Sequence, residues 1–181
     1  MTVLRPAFIA AALVWVLLLT LVPFIASRPY TSPAGTALII SVYAIGGAVC
    51  HQRPERSYHL WTAQMPVCAR CAGIYFGAAL MAVVAAAAPP RRRSPYDESR
   101  RAEPRSILPV VRHRSSGTNR PRALLLVAAL PALATLVYEW TTGDMPAHWI
   151  RTATGVPLGA TVAWMVLSSM PHRTRARNQV N

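Results

Sequence analysis

The chain has 181 residues, of which 53% are hydrophobic and only 14% charged, yet its formal net charge is +13. A soluble domain carries roughly a quarter charged residues. Here the arginines lie between apolar blocks rather than within them. That pattern argues for a membrane protein over a basic nucleic-acid-binding domain, and the length leaves no room for a separate soluble enzyme domain. All 19 Lys-or-Arg positions are arginine, and the odd count of three cysteines does not suit a pure disulfide framework.

The first apolar block runs from about Pro6 to Ala26 without a charge. It is long enough to cross a hydrocarbon core of roughly 30 Å, and longer than a signal-peptide core of about 7–15 residues, so a retained helix is expected. A loop with Pro29 and Pro33 follows, then a shorter block from about Thr36 to Cys50. The stretch from His51 to Pro66 is polar, and no strand-rich segment is read in it or elsewhere. A third, alanine-rich block from about Cys71 to Ala88 is stopped by Pro89 and Pro90.

The composition breaks between Pro89 and Arg122, which holds ten arginines against Asp97, Glu98 and Glu103. Such a segment cannot bury enough apolar surface to offset its ordering entropy, so it is expected to be mostly disordered. Juxtamembrane arginine is expected beside anionic lipid, and this reading is preferred to nucleic-acid binding. A fourth block spans about Ala123 to Tyr138, with Pro131 inside and Glu139 and Trp140 at its end. After a short loop the fifth runs from about Thr152 to Met170, followed by Arg173, Arg175 and Arg177.

The expectation is an all-α membrane bundle of about five spans. It is organised as residues 1–88 with the first three helices, a basic cytoplasmic loop over 89–122, and 123–181 with the last two helices. Placing that loop in the cytoplasm, with five crossings, puts 14 of the 19 arginines inside. The N-terminus and the His51–Pro66 segment then lie outside and the C-terminus inside. The partner is the lipid bilayer, with anionic lipid at the basic loop; no nucleic acid is expected.

The chemistry-bearing residues cluster in Cys50-His51-Gln52-Arg53-Pro54-Glu55-Arg56-Ser57 and Pro66-Val67-Cys68-Ala69-Arg70-Cys71-Ala72-Gly73-Ile74-Tyr75. Cys68 and Cys71 form a C-x-x-C at the start of a helix, where the helix N-terminus and Arg70 favour thiolate. A hairpin of helices brings Cys50 and His51 to the same end. Three readings compete. Cys50, His51, Cys68 and Cys71 have the donor set of a tetrahedral site for zinc or another transition metal, although adjacent Cys50 and His51 do not easily ligate one ion. A C-x-x-C with a third thiol also suits a thiol–disulfide oxidoreductase, though such membrane enzymes usually use a second cysteine pair. Finally, the cluster suits a structural staple in a scaffolding subunit.

Arg53, Arg56 or Arg70 would balance excess thiolate charge. Glu139, Asp144 and Arg151 sit near the ends of the last two helices, where interfacial solvation competes with a functional role. Glu139, nearest the apolar block, is the best functional candidate among them. His59 and His148 read as polar filler, and Trp61, Trp140 and Trp149 as an interfacial aromatic belt. Gly73/Gly77 and Gly155/Gly159 are G-x-x-x-G pairs early in two helices, where close helix approach is expected. No P-loop, dinucleotide fingerprint, H-E-x-x-H or serine-nucleophile elbow occurs.

The two cysteine segments resemble the DUF2085 family of bacterial membrane proteins, whose motifs read C-H-Q-x-P-x-R-S and P-x-C-x-R-C-x-G-x-Y-x-G. The matching positions are Cys50, His51, Gln52, Pro54, Arg56 and Ser57, then Pro66, Cys68, Arg70, Cys71, Gly73, Tyr75 and Gly77. A weaker echo lies at Arg151, Thr154, Gly155 and Gly159. The resemblance implies a multi-pass protein of the bacterial cytoplasmic membrane, with Arg56 and Arg70 in its motifs and Arg151 in the echo; Glu139, singled out by its position, is taken with them as support for the motifs. It implies no activity.

Overall fold

The computed structural model describes residues 3–88 and 119–170. Most of the expected basic loop, and the tail arginines, lie outside the described residues.

All five apolar blocks are helices: α1 (Leu4–Ala26), α2 (Pro33–Val49), α3 (Ala69–Ala87), α4 (Asn119–Thr142) and α5 (His148–Ser169). The fold is an all-α membrane bundle. Four helices are long and apolar enough to cross a bilayer, namely α1, α3, α5 and the Pro121–Thr142 part of α4. At 17 residues, α2 spans only about 25 Å at 1.5 Å per residue. Ser32 starts it as N-cap, its side chain accepting from the Gly35 N–H at 3.2 Å, with Pro33 in the first turn where a missing N–H costs nothing. Large side chains such as Leu17, Leu126, Val127 and Leu130 point outward, as expected where lipid is the solvent.

The tightest helix pair is α3 with α5, which run parallel. Their glycines interlock. A Cβ on Gly73 or Gly77 would strike the carbonyl oxygens of Thr152 or Val156, and one on Gly155 or Gly159 those of Arg70 or Ile74. The expected contact of the two G-x-x-x-G pairs is therefore present, and it fixes the N-terminal ends of α3 and α5 side by side. Alongside α5, α4 runs the other way: Glu139 near its C-terminal end meets Arg151 in the first turn of α5.

Two expectations are corrected. Residues 51–66 are not a plain polar loop. A 3-10 turn at Pro54–Arg56 leads into an antiparallel hairpin of β1 (Ser57–Leu60) and β2 (Ala63–Cys68). Met65, Pro66 and Val67 of β2 are buried against α1, so its residues are recruited by tertiary packing rather than by an alternating pattern. The second concerns α1, which the five-crossing arrangement, with the N-terminus and the His51–Pro66 segment on one side, would run parallel to α3. It runs antiparallel: Arg5 donates to the Ala85 carbonyl at 3.2 Å, Trp15 meets Tyr75 edge-on at 5.8 Å, and Phe24 meets Trp61 of the hairpin at 5.2 Å. The N-terminal end of α1 is thus at the opposite end of the bundle from the cysteines.

Candidate functional site

Cys50 ends α2, Cys68 ends β2, and Cys71 lies in the first turn of α3. The hairpin carries the chain back over the bundle so that Ser57 pairs with Cys68. The three Sγ atoms lie within 4.8 Å of one another. All three are free thiols, and the Cys68 N–H donates to Cys50 Sγ at 3.2 Å. Leu19, Met65, Val67 and Ala72 form the apolar wall of this cluster, with Trp15, Tyr58 and Tyr75 packed against it.

The Cys68 thiol is pushed down to about 5, chiefly by a hydrogen bond from the Cys71 side chain. Burial opposes the shift, while the Cys71 amide, the Cys50 side chain and the Arg70 amide add to it. Cys68 is therefore the sulfur of the three best suited to exist as thiolate at neutral pH.

His51 does not join the sulfurs. Cys50 has extended backbone (φ −145°, ψ 140°), which turns successive side chains to opposite sides, and His51 is exposed. Gln52, one of the motif residues, braces the site. Its backbone is left-handed at φ 46°, and its side-chain amide donates to the carbonyls of Tyr43 (2.8 Å) and Pro66 (2.7 Å). Its own carbonyl accepts from Gln64 Nε2 at 2.6 Å, and the Tyr43 hydroxyl donates to the Gln64 carbonyl. These bonds tie the end of α2 to β2 and so hold Cys50 near Cys68. Ser57 Oγ donates to the Arg53 carbonyl at 2.9 Å, closing the 3-10 turn. Tyr58 Oη lies 2.8 Å from Thr152 Oγ1, which donates to the Ala69 carbonyl at 3.0 Å and locks the hairpin to α5.

Beside the sulfurs lies a second cluster whose members come from four segments. Glu139 is buried, and its Oε1 accepts from Arg70 Nη2 and Arg151 Nε, each at 2.9 Å. Arg56 Nη1 approaches its Oε2 at 3.8 Å, and Arg70 Nη2 also donates to Thr135 Oγ1 at 3.1 Å. Interfacial solvation, the rival account of Glu139, does not hold, since only 3% of its side chain is exposed. Asp144, by contrast, is exposed. A small cavity bounded by Arg56, Cys68, Arg70 and Arg151 joins the two clusters. The sequence drew attention to each of these charged residues; Thr135, Thr152 and Tyr43 carried no sequence signal, because their roles are set by partners far along the chain.

An uncharacterized protein of Methanocaldococcus jannaschii is 40% identical over 65 residues, which cover 36% of this chain and 42% of that protein. A second, from Methanothermobacter thermautotrophicus, is 50% identical over 30 residues, covering 17% of this chain and 27% of its own. The matched stretches thus span less than half the length of either relative. Both are archaeal, so such sequences extend beyond the bacteria in which the resemblance placed them. No solved structure matches the chain significantly. The family described as "Predicted membrane protein (DUF2085)" matches residues 50–165, from the first cysteine through most of α5, and the chain belongs to that family.

Proposed function

We propose that this membrane protein holds a thiolate-ligated metal ion, of the zinc class, between Cys50, Cys68 and Cys71. The observation that carries the reading is the grouping of three sulfurs within 4.8 Å of one another. Around one zinc ion with Zn–S near 2.3 Å, tetrahedral ligands stand about 3.8 Å apart, so a small contraction suffices. A disulfide engages only two sulfurs, at about 2.05 Å. Thiolates select zinc and other soft ions over hard ones. With His51 turned away, the chain supplies three ligands and leaves the fourth position to an exogenous group, the pattern of reactive rather than closed structural sites.

Metal content and thiol counting on the purified protein test this. About one metal per chain is expected, with three thiols becoming reactive only after chelation and the metal lost in Cys68→Ser. Three freely reactive thiols in metal-free protein purified with zinc present throughout would sink the reading.

A second reading, thiol–disulfide exchange, is favoured by the lowered Cys68 thiol alone. As thiolate it would attack a partner protein's disulfide, expelling the other sulfur as thiolate. In chelator-treated protein, the alkylation rate at Cys68 is expected to change less than about twofold between pH 6 and 8. An ordinary thiol near pKa 8.5 speeds up by nearly two orders of magnitude from pH 6 to pH 8. In Cys71→Ala the profile moves upward, because the strongest hydrogen bond to the thiolate is gone. An ordinary profile in the unmutated protein would remove Cys68 as a nucleophile.

A further inference from the structure

The cavity between Arg56, Cys68, Arg70 and Arg151 measures ≈ 50 Å³. One water needs about 10–15 Å³ on this measure, so the space takes roughly four oxygen-sized atoms. Arg56, Arg70 and Arg151 line it, and Glu139, the one carboxylate among the described residues that pairs with all three, is not among its lining residues. Among the described residues, Arg56 Nε, Arg70 Nε and Arg151 Nη2 are buried without a hydrogen-bond acceptor and Glu139 Oε2 without a donor, so three unpaired donor nitrogens stand against one unpaired carboxylate oxygen. Arg151 Nη2 lies 2.8 Å from Glu139 Oε1 but out of hydrogen-bond alignment, and only 4% of its side chain is exposed.

The charges do not close. Among the described residues, three arginines against one carboxylate leave two positive charges. A Cys68 thiolate removes one, and three thiolates around a divalent ion remove the same one, so the excess of about +1 is independent of the metal. Buried charge without a partner is costly. Arg70 and Arg151 stand in the first turns of α3 and α5, whose N-termini add positive potential at this end. Planar guanidinium forks match oxyanions in geometry as well as charge.

We propose that this cavity binds a small tetrahedral oxyanion of the phosphate or sulfate class, held by Arg56, Arg70 and Arg151 beside the Cys68 sulfur. The anion comes either free from solution or as the phosphomonoester headgroup of a lipid.

The test uses the full chain in phosphatidylcholine nanodiscs at constant ionic strength set with chloride. Phosphate and sulfate are titrated, with radiolabelled phosphate read by equilibrium dialysis and thermal stability read alongside. Saturable binding is expected. Arg56→Gln, at the most exposed of the three arginines, is expected to weaken it by about tenfold or more, while Arg53→Gln, outside the cavity, leaves it within about twofold. Nanodiscs with phosphatidic acid separate the sources: stabilisation that competes with free phosphate assigns the lipid headgroup, and binding in phosphatidylcholine alone assigns the free anion. Chelated protein should still bind. Loss of binding on chelation would place the anion on a metal and overturn the arginine site. So would wild-type binding in Arg56→Gln. Absence of saturable binding by phosphate, sulfate and phosphatidic acid to the unmutated protein would overturn it even if the variant fails to fold.

Discussion

Glu139 shows how much one residue's meaning depends on partners that sequence cannot bring together. In the sequence it is a carboxylate at the edge of an apolar block; in the fold it faces arginines from positions 56, 70 and 151. Each is individually visible, but their convergence requires the hairpin, α3 and α5 to be placed first. The cysteines were more legible, because C-x-x-C and a cysteine closing the preceding helix share one end of a hairpin of helices. His51 was not, since whether it faces the sulfurs depends on the extended backbone at Cys50. The energetic weight of Glu139 follows from burial. Glu139→Gln leaves three cations without their shared anion, and a cost of about 3–5 kcal/mol is expected, as for breaking a buried pair from one side. The exposed Arg53–Glu55 pair, at 3.9 Å with side chains 60% and 46% exposed, offers the contrast: Glu55→Gln is expected to cost less than about 1 kcal/mol. Unfolding of both variants in detergent reads the difference, and equal stabilities would contradict the importance given to burial.

At the scale of elements, the helices were legible and the hairpin was not. Five apolar blocks of helical length need only be counted. The hairpin instead turns on Trp61 and Thr62, both with positive φ (50° and 72°), where a two-residue turn usually carries Asn-Gly or similar. Trp61 is held there by Phe24 of α1, at 5.2 Å, so a tertiary contact replaces the local turn signal. The strands' inward residues, Met65, Pro66 and Val67, are consecutive rather than alternating, which removes the other signal. The α3–α5 contact was read correctly from two glycine pairs at matching depth, because carbonyl oxygens can approach a helix closely only where side chains are missing. Gly77→Leu places a branched side chain against the Val156 carbonyl. Overpacking of this kind costs about 1–3 kcal/mol or more, and separating these helices also displaces Arg70 from Arg151. The variant is expected to lose thermal stability, whereas Leu at Ala85, on the far part of α3, should not. Wild-type stability in Gly77→Leu would mean the helices do not pack as described.

Across the whole molecule, the direction of α1 changes which ends share a face. Arg5 bonds to Ala85, at the end of α3 away from the cysteines. Gly35 lies near Ile25 at the end of α1, and Cys50 reaches the sulfur cluster, so α2 begins and ends on the cysteine side. If α2 stays on that side, the chain crosses four times, through α1, α3, α4 and α5, and both termini share a face. Arginine asymmetry cannot separate this from a five-crossing arrangement, because Arg5 and Arg28 simply exchange sides and 14 of 19 arginines remain with the basic loop in either case. Three of the five exceptions on the opposite face, Arg56, Arg70 and Arg151, are committed to Glu139. We therefore expect reporters at the N-terminus, at Gly117 and at the C-terminus all to read cytoplasmic, and one after Tyr30, which is 93% exposed, to read external. An external N-terminus together with a cytoplasmic Gly117 would show that α2 crosses and that α1 has to be re-placed. A cytoplasmic reading at Tyr30 with an external Gly117 would invert the molecule and put the thiols and the arginine cavity in the reducing compartment, where disulfide exchange loses its oxidising setting.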